Sequence, residues 1–480
     1  MTFNFSVILL VLHNLFSFCV RFGAVCVLPR RHAPAVAMTW LLIILFWPLP
    51  GGLLYLALGS TELPKLRRER HERALSRLRQ SVGHGSFCPE PVLADDLASL
   101  VRLGTKLAQW PVQFAQSLDL IDSEEALIDR LAGTVDEAEG NVYLLYYIFE
   151  RDAVTEPLFR ALVRAAERGV DCRLLLDDLG SKKFLKKGAA ELEAAGIRIA
   201  RALPLSRLRR TRLTARFDLR NHRKLAVIDG RRAFVGSHNI TEATYGGKAQ
   251  GRRWEDLTLD LTGPVVGQLQ GVFLEDWYVE TDEVLRHDIP LEAGATCGTY
   301  CLQTIPSGPA YSTENYQRLV AAALFGARKR VIITTPYLIP DAGLLQALEM
   351  ACLKGAQVDL IVPLRGDQFF VGNAARAYYS QLMDLGVTLH LFETDIIHAK
   401  TMTVDGRVAF LGSSNFDIRS FALNFELNMA LYGEAETARV VTAQERYLAQ
   451  SRRLDERAWR QRPLWRQTVE GVAKLLSPIL

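Results

Sequence analysis

Residues 221–239 read NHRKLAVIDGRRAFVGSHN, and residues 397–415 read IHAKTMTVDGRVAFLGSSN. Laid over each other without a gap, ten of the nineteen positions are identical: His, Lys, Asp, Gly, Arg, Ala, Phe, Gly, Ser and Asn. Agreement at that level is beyond chance, so the chain carries a duplicated unit. The surroundings say what kind of unit. Asn141 to Phe149 is an apolar run rich in Tyr, Val and Ile, Glu156 to Arg168 has helical periodicity, and Val170 to Leu176 is apolar again. The same succession returns at Arg330 to Leu338, Gly343 to Leu353 and Val358 to Pro363. Strands alternating with helices predict an α/β sandwich. The duplication predicts two such halves related by pseudo-twofold symmetry, over 106–283 and 313–455, with a linker at 284–312.

Each copy has the form H-x-K-x4-D followed by G-S-x-N. His222 and Lys224 are two apart on a predicted strand, as are His398 and Lys400, and strand period two puts each pair on one face. Asp229-Gly230 and Asp405-Gly406 are hairpin-turn signals. The return strands, Arg232 to Gly236 and Arg407 to Gly412, bring Ser237 and Asn239, or Ser413 and Asn415, back beside that face. Two copies facing each other then offer two imidazoles, two ammonium groups and two amides to one point. That set suits displacement at a phosphodiester. Lys and Asn donors stabilise the charge on the non-bridging oxygens, one neutral His attacks phosphorus, and a protonated His serves the leaving alkoxide. The lysines stand where a metal would otherwise neutralise phosphate, so no metal and no cofactor is expected. A lone His-x-Lys is ordinarily an exposed polar face, and a lone Asp-Gly only a turn; the duplicated set carries the catalytic reading. Asp229 and Asp405 complete that set, chiefly by tying down the hairpins and orienting the lysines.

The N-terminus is the compositional outlier. No charged residue occurs from Ala33 to Thr61. Residues 1–60 are expected to form a membrane anchor with two spans, at about 3–27 and 35–58, since a hydrocarbon core of roughly 30 Å needs about 20 apolar residues. The first stretch contains His13 and Asn14 and is the weaker span; Pro48 and Pro50 are expected to kink the second. A cleaved signal peptide is disfavoured by the lack of a basic leading segment and by the second apolar stretch. Lys65, Arg67, Arg68, Arg70, Arg73, Arg77 and Arg79 follow the second stretch, against Arg21, Arg30 and Arg31 between the two. That imbalance puts the large C-terminal part in the cytoplasm. Residues 61–105 read as a basic juxtamembrane linker or helix. The formal net charge of +4 over 480 residues gives no argument for nucleic acid as a partner. Seven scattered cysteines without a CxxC pair read as free thiols. Arg207, Arg209, Arg210, Arg212, Arg216 and Arg220 run into the first motif and are candidate contacts for anionic lipid headgroups, a solvated face being the plainer alternative. The amphipathic tail, 456–480, either lies in the membrane interface or packs on the catalytic part.

With its two H-x-K-x4-D motifs the chain resembles the phospholipase D superfamily. Within it, YIFERD at 147–152, TPYLIPD at 335–341, SSNFDIRSFALNFELN at 413–428 and the apolar N-terminus resemble the bacterial cardiolipin synthase family. The resemblance implies a multi-pass protein of the bacterial inner membrane and phospholipids as substrates. It implies transfer of a phosphatidyl group from one phospholipid, usually phosphatidylglycerol, to the glycerol hydroxyl of a second, through a phosphohistidine. Hydrolysis to phosphatidic acid is the alternative outcome. It further implies His222 as nucleophile and His398 as general acid, an order that the symmetry of the sequence does not fix. Each His is expected to have an acidic support. Glu426 lies inside NFELN, 28 residues past His398; the same offset past His222 gives Gln250, so RRWEDL points instead to Asp256, or failing that Glu255.

Overall fold

The run Leu225–Ile228 is buried at every position, so its strand must be covered on both faces. The computed structural model describes residues 5–32, 34–59, 63–82, 93–204, 218–245, 251–285, 298–311, 314–366 and 368–476. In it that strand lies at the centre of a seven-stranded sheet. The order is Ser117–Ile121, Thr258–Thr262, Arg232–Gly236, Leu225–Ile228, Asn141–Tyr146, Asp171–Asp177 and Arg198–Ala202. The last three are parallel, with helices Glu156–Glu167 and Ala189–Ala194 as crossovers. The central pair is an antiparallel hairpin.

The second sheet repeats this order. Glu426–Tyr432, Val408–Gly412, Thr401–Val404, Arg330–Thr334, Gln357–Pro363 and Thr388–Phe392 follow one another with the same directions. Tyr300–Ser307 and Gln113–Ala115 extend one edge and Ser451–Arg453 the other, giving nine strands. Both hairpins turn on Asp-Gly pairs in the left-handed region, Asp229 and Gly230 at φ 52° and 62°, Asp405 and Gly406 at 54° and 66°. That is the conformation Asp-Gly supports and most residue pairs resist.

The two sheets face each other across helices Val265–Thr281 and Glu434–Ala449. One apolar cluster joins them. Tyr143, Val227, Leu259 and Phe273 from the first half pack with Ile332, Leu411, Met429 and Tyr447 from the second. The outer faces are closed separately, by Leu131, Phe159 and Leu162 on the first sheet and by Leu319, Leu344 and Leu348 on the second. The chain is thus one α/β assembly of two pseudo-symmetric halves.

Three segments differ from their expectations. Residues 61–105, expected as a linker or juxtamembrane helix, hold two helices, Lys65–Val82 and Asp95–Ala108, docked on the catalytic part. Residues 284–312 supply the strand Tyr300–Ser307. The apolar stretch at 35–58 is two helices, Pro34–Phe46 and Pro48–Leu58, broken at Trp47 (φ −129°, ψ 80°) with Pro48 opening the second. The uninterrupted helix is the first, Phe5–Arg31. Among the described residues it is the one helix long and apolar enough to cross a membrane. The C-terminal helix Leu464–Leu476 packs on Phe369–Ala377.

The helix Lys65–Val82 is held by charge rather than by an apolar stripe. Arg67 grips the buried Glu280 through two hydrogen bonds, at 2.6 and 2.8 Å. Arg70 donates to the Val279 carbonyl at 3.1 Å and to Asp282 at 3.2 Å. Breaking a buried pair from one side costs about 3–5 kcal/mol. Arg67→Ala is therefore expected to lower the melting temperature of the detergent-solubilised chain, and Glu280→Gln in that background to restore part of the loss. A double variant as unstable as the sum of the singles would remove the ion pair as the cause.

Candidate active site

The residues leading into each His-x-Lys pair with the opposite half. Ile396–Ile397 runs parallel to Trp254–Glu255, and Asn221 bridges to Phe425. The His398 N–H consequently donates to the Glu255 carbonyl and the His222 N–H to the Phe425 carbonyl, both at 2.8 Å. In each case the acceptor is one residue before an acid. That register sets Asp256 Oδ1 2.7 Å from His398 Nδ1 and Glu426 Oε1 3.4 Å from His222 Nδ1. The sequence offsets pair each acid with the His of its own half; the structure exchanges them, because the backbone pairing that aligns ring and carboxylate runs between halves. Glu255, the fallback, lies 4.0 Å from Arg446 instead.

Ser237 and Ser413 hold the acid-bearing segments. Ser237 Oγ accepts the Leu257 N–H at 3.0 Å, and Ser413 Oγ accepts the Leu427 N–H at 2.9 Å. Each hydroxyl pins the residue after an acid. Lys224 Nζ donates to the His222 carbonyl at 2.6 Å, and Lys400 Nζ to the His398 carbonyl. Both lysines are buried. Burial pushes the Lys224 ammonium down, and Glu426 and Asp256 pull it back. One ammonium therefore feels the acids of both histidines, so the duplicated residues converge on one locus.

The two asparagines differ. Asn415 lines a cavity of about 350 Å³ together with His222, Tyr147, Asn424 and Arg419, and its Oδ1 is buried without a hydrogen-bond partner among the described residues. Asn239 is engaged on both sides: its Oδ1 accepts the Ile148 N–H at 3.1 Å and its Nδ2 donates to the Tyr245 hydroxyl at 3.3 Å. The amide expected to reach toward phosphate in the first copy is thus occupied within its own half.

Asp229 and Asp405 are not brought to this locus. Asp229 accepts the N–H groups of Glu139, Gly140 and Asn141 at 2.8–2.9 Å. Asp405 accepts those of Arg328, Lys329 and Arg330 at 2.7–2.9 Å. Each carboxylate caps the entry to the neighbouring strand. It sits at the far end of its own strand from the lysine, about 17 Å along an extended backbone, which corrects the expectation that these aspartates orient the lysines. Arg220 is buried, 3.4 Å from Asp177, and lines the cavity; Arg207, Arg209, Arg210, Arg212, Arg216 and Gln250 lie outside the described residues.

Several residues at the site went unread. The Tyr147 ring is 4.2 Å from the His222 ring, Asn424 Nδ2 is 3.2 Å from His222 Nδ1, and the Trp254 ring meets His398 edge-on at 5.0 Å. Each lies in a segment already singled out, Tyr147 in YIFERD, Asn424 in NFELN and Trp254 in RRWEDL, yet without a repeated partner to mark it. Glu124 gave no signal at all. Burial and the Asp256 charge push it up to about 8, so this acid keeps its proton at neutral pH.

Burial acts on both rings in the same direction. Burial pushes His222 down, with Glu426 opposing. Burial pushes His398 down to about 4 although Asp256 pulls the other way. Burial also works to raise Asp256, but the His398 ring and Lys400 outweigh it and hold the carboxyl well below the usual range. Such a pair, an imidazole oriented by an ionised carboxylate, can exchange a proton at its free nitrogen.

The duplicated motifs agree with known proteins. Residues 131–277 and 320–448 match the family model described as cardiolipin synthase, PLD-like domain. Cardiolipin synthase A of Escherichia fergusonii is 31% identical over 463 residues, 95% of each chain. Cardiolipin synthase A of Escherichia coli O1:K1 / APEC is 32% identical over the same share. Among solved structures, phosphatidylserine synthase of Haemophilus influenzae Rd KW20 superposes with a TM-score of 0.60, at 14% identity, covering 80% of this chain and all of that one; it shares the fold. With both halves matched by one family model and these relatives matched over nearly their whole length, the chain belongs to the cardiolipin synthase family of phospholipase D-like proteins.

Proposed function

We propose that the chain is a cardiolipin synthase that moves a phosphatidyl group between two phosphatidylglycerol molecules. The observation that carries this reading is the pair of imidazoles, each backed by a carboxylate from the opposite half, around lysines of both copies. In the first step His222 Nε2 attacks phosphorus, the bond to the glycerol headgroup breaks, and His398 gives its proton to the departing oxygen. In the second, the hydroxyl of another phosphatidylglycerol attacks the phosphohistidine, His398 takes its proton, and His222 leaves. The products are cardiolipin and glycerol. His222 as nucleophile is supported by its place in the cavity wall, with Nδ1 turned to Asn424 and Glu426 and Nε2 left for substrate. Lys224, Lys400 and Asn415 supply donors for the non-bridging oxygens. Asp256 and Glu426 orient the rings, and Arg220 belongs to the headgroup wall. The basic run after residue 64 supports catalytic halves on the cytoplasmic face of the inner membrane, and the apolar helices Pro34–Phe46 and Pro48–Leu58 after Phe5–Arg31 support a second pass.

His398 must be charged to act as an acid, yet burial holds it down to about 4. A phosphodiester anion beside it favours the protonated ring. On this reading the acid is formed by the arrival of substrate.

The function is tested with purified chain in detergent and labelled phosphatidylglycerol. Cardiolipin and free glycerol are expected in equal amounts; phosphatidic acid as the main product would make the chain a hydrolase. Activity is expected to survive exhaustive chelation, because Lys224 and Lys400 carry the charge that a metal would bring. Complete loss in EDTA, reversed by adding metal, would contradict that role.

The roles of the rings are separable. His222→Asn is expected to abolish the phosphoenzyme with every substrate. His398→Asn is expected to retain it with a nitrophenyl phosphodiester, whose leaving group needs no proton. The reverse pattern would exchange the assignments.

The buried ring also predicts a pH dependence of stability. In the unfolded chain the imidazole binds a proton near its ordinary value of 6.5; folded, it refuses one until about 4. Stability is therefore full above 6.5 and falls toward 4, by at most about 3 kcal/mol from this ring. Denaturant titrations across that interval should show a smaller loss for His398→Asn than for the wild type. Equal losses would remove the neutral, buried His398 as the cause.

A further inference from the structure

The helix Phe369–Ala377 separates two spaces. On one side is the cavity with His222, lined here by Gln368 and Val371. On the other is a groove of about 670 Å³, lined by Gln368, Phe369 and Gly372 from this helix. Gln368 borders both, so the groove and the catalytic cavity adjoin at this residue. The rest of the groove is built from Tyr379, Leu391 and Trp459, with Trp465 and Val469 of the C-terminal helix closing it.

Its chemistry is that of an amphiphile's tail. The aromatic and aliphatic side chains present apolar faces, and Phe369, Phe370 and Trp465 are 68%, 58% and 64% exposed. Such a cluster of exposed large apolar residues marks a binding surface. The two carboxylates of the groove are already engaged. Glu470 accepts from Arg462 at 2.8 Å, and Asp455 caps the helix Glu456–Arg460 through the Ala458 N–H. The arginines are not matched one for one. Arg376 donates to the uncharged Leu364 carbonyl, and Arg466 lies over Trp465 at 5.3 Å with no carboxylate partner among the described residues. The groove is apolar within and positive at its rim.

The catalytic cavity, at about 350 Å³, is at the lower end of the range for small-molecule sites. It has room for a glycerophosphate headgroup, and the acyl chains must lie elsewhere. We infer that this groove holds an acyl chain of an anionic phospholipid whose phosphate reaches the catalytic cavity past Gln368. The inference rests on the proposed use of phospholipids as substrates and adds where one of them lies. The exposed Phe369 and Trp465 would meet the chain first, as aromatic residues do where a bilayer surface is entered.

The test uses the full chain in detergent micelles and phosphatidylglycerol carrying a photoreactive group in its acyl chain. Labelling is expected within residues 459–469 and around Phe369. A Cβ added at Gly372 meets nothing within 4 Å, so the position has room for a side chain, and Gly372→Trp is expected to fill the groove. That variant is expected to lose the groove label. It should also raise KM for long-chain phosphatidylglycerol about tenfold while leaving turnover of the dihexanoyl form within about twofold. Label confined to residues 5–58, label unchanged by Gly372→Trp, or equal losses on both substrates would each overturn the groove. Labelling needs no turnover, so a wild type that makes no cardiolipin would sink the proposed function and leave the groove to be decided by the label.

Discussion

The structure depends on a backbone register between two halves that the chain makes in succession. His222 donates its N–H to Phe425 and His398 donates its N–H to Glu255. Each half lends the other a strand end, and each strand end carries the acid that the other's imidazole needs. Neither half is complete alone: the first has His222 without Glu426, and the second has His398 without Asp256. The apolar cluster between the sheets supplies the association energy, and the register gives the association its consequence. A slip of one residue along either contact would turn the acid to the opposite face. The ring would then be buried without the carboxylate that orients it.

How much of this the sequence disclosed follows from what kind of interaction each residue makes. The hairpins were legible because Asp-Gly turns and period-two strands are local, and so was the duplication, which needs only comparison of the chain with itself. Asp229 and Asp405 were read as structural, correctly in kind, but their partners were not legible. The N–H groups they cap, at 139–141 and 328–330, lie 75 to 90 residues earlier in the chain. Glu426 and Asp256 were found as acids by their local segments, and assigned to the wrong rings. Local pattern says that a carboxylate is present; it does not say which strand end the tertiary fold lays beside it. Asn239 shows the same limit. Its place in the motif matches Asn415, but Tyr245 and the Ile148 N–H hold its amide, and nothing in the repeat announces them.

The docking of segment 61–105 was illegible for a different reason. KLRRERHERALSRLRQSV has few apolar residues, so periodicity reads it as solvated. Its docking is polar. Arg67 and Arg70 bind the end of Val265–Thr281. His71, buried, donates from Nδ1 to the Glu275 carboxylate at 2.9 Å and stacks on Phe425 with ring centres 5.3 Å apart. The Phe425 ring also meets the Arg223 guanidinium at 5.7 Å, which bonds Asp276 at 2.7 Å and the Glu426 carbonyl at 3.1 Å. The segment that presents Glu426 to His222 is therefore held by a residue of the first motif and a residue of the helix that follows the apolar N-terminus. Whatever fixes that helix relative to a membrane also fixes the acid beside the ring.

Transfer and hydrolysis share their first step on the proposed assignment, so the difference must lie in what reaches the phosphohistidine. Water needs no binding site; a second lipid needs one. A site that favours transfer has to exclude bulk water while admitting a glycerol hydroxyl. The cavity wall is suited to that: Tyr147, Tyr337, Ile339 and Val371 present apolar surface around His222, and Tyr147 lies against the ring itself. Burial likewise holds His398 down to about 4. A ring kept neutral until an anion arrives cannot protonate a leaving group prematurely. Once the glycerol has left, it is a neutral base beside the intermediate, ready for a hydroxyl. Burial thus serves both steps through one property of the site, the low stability of an isolated charge there.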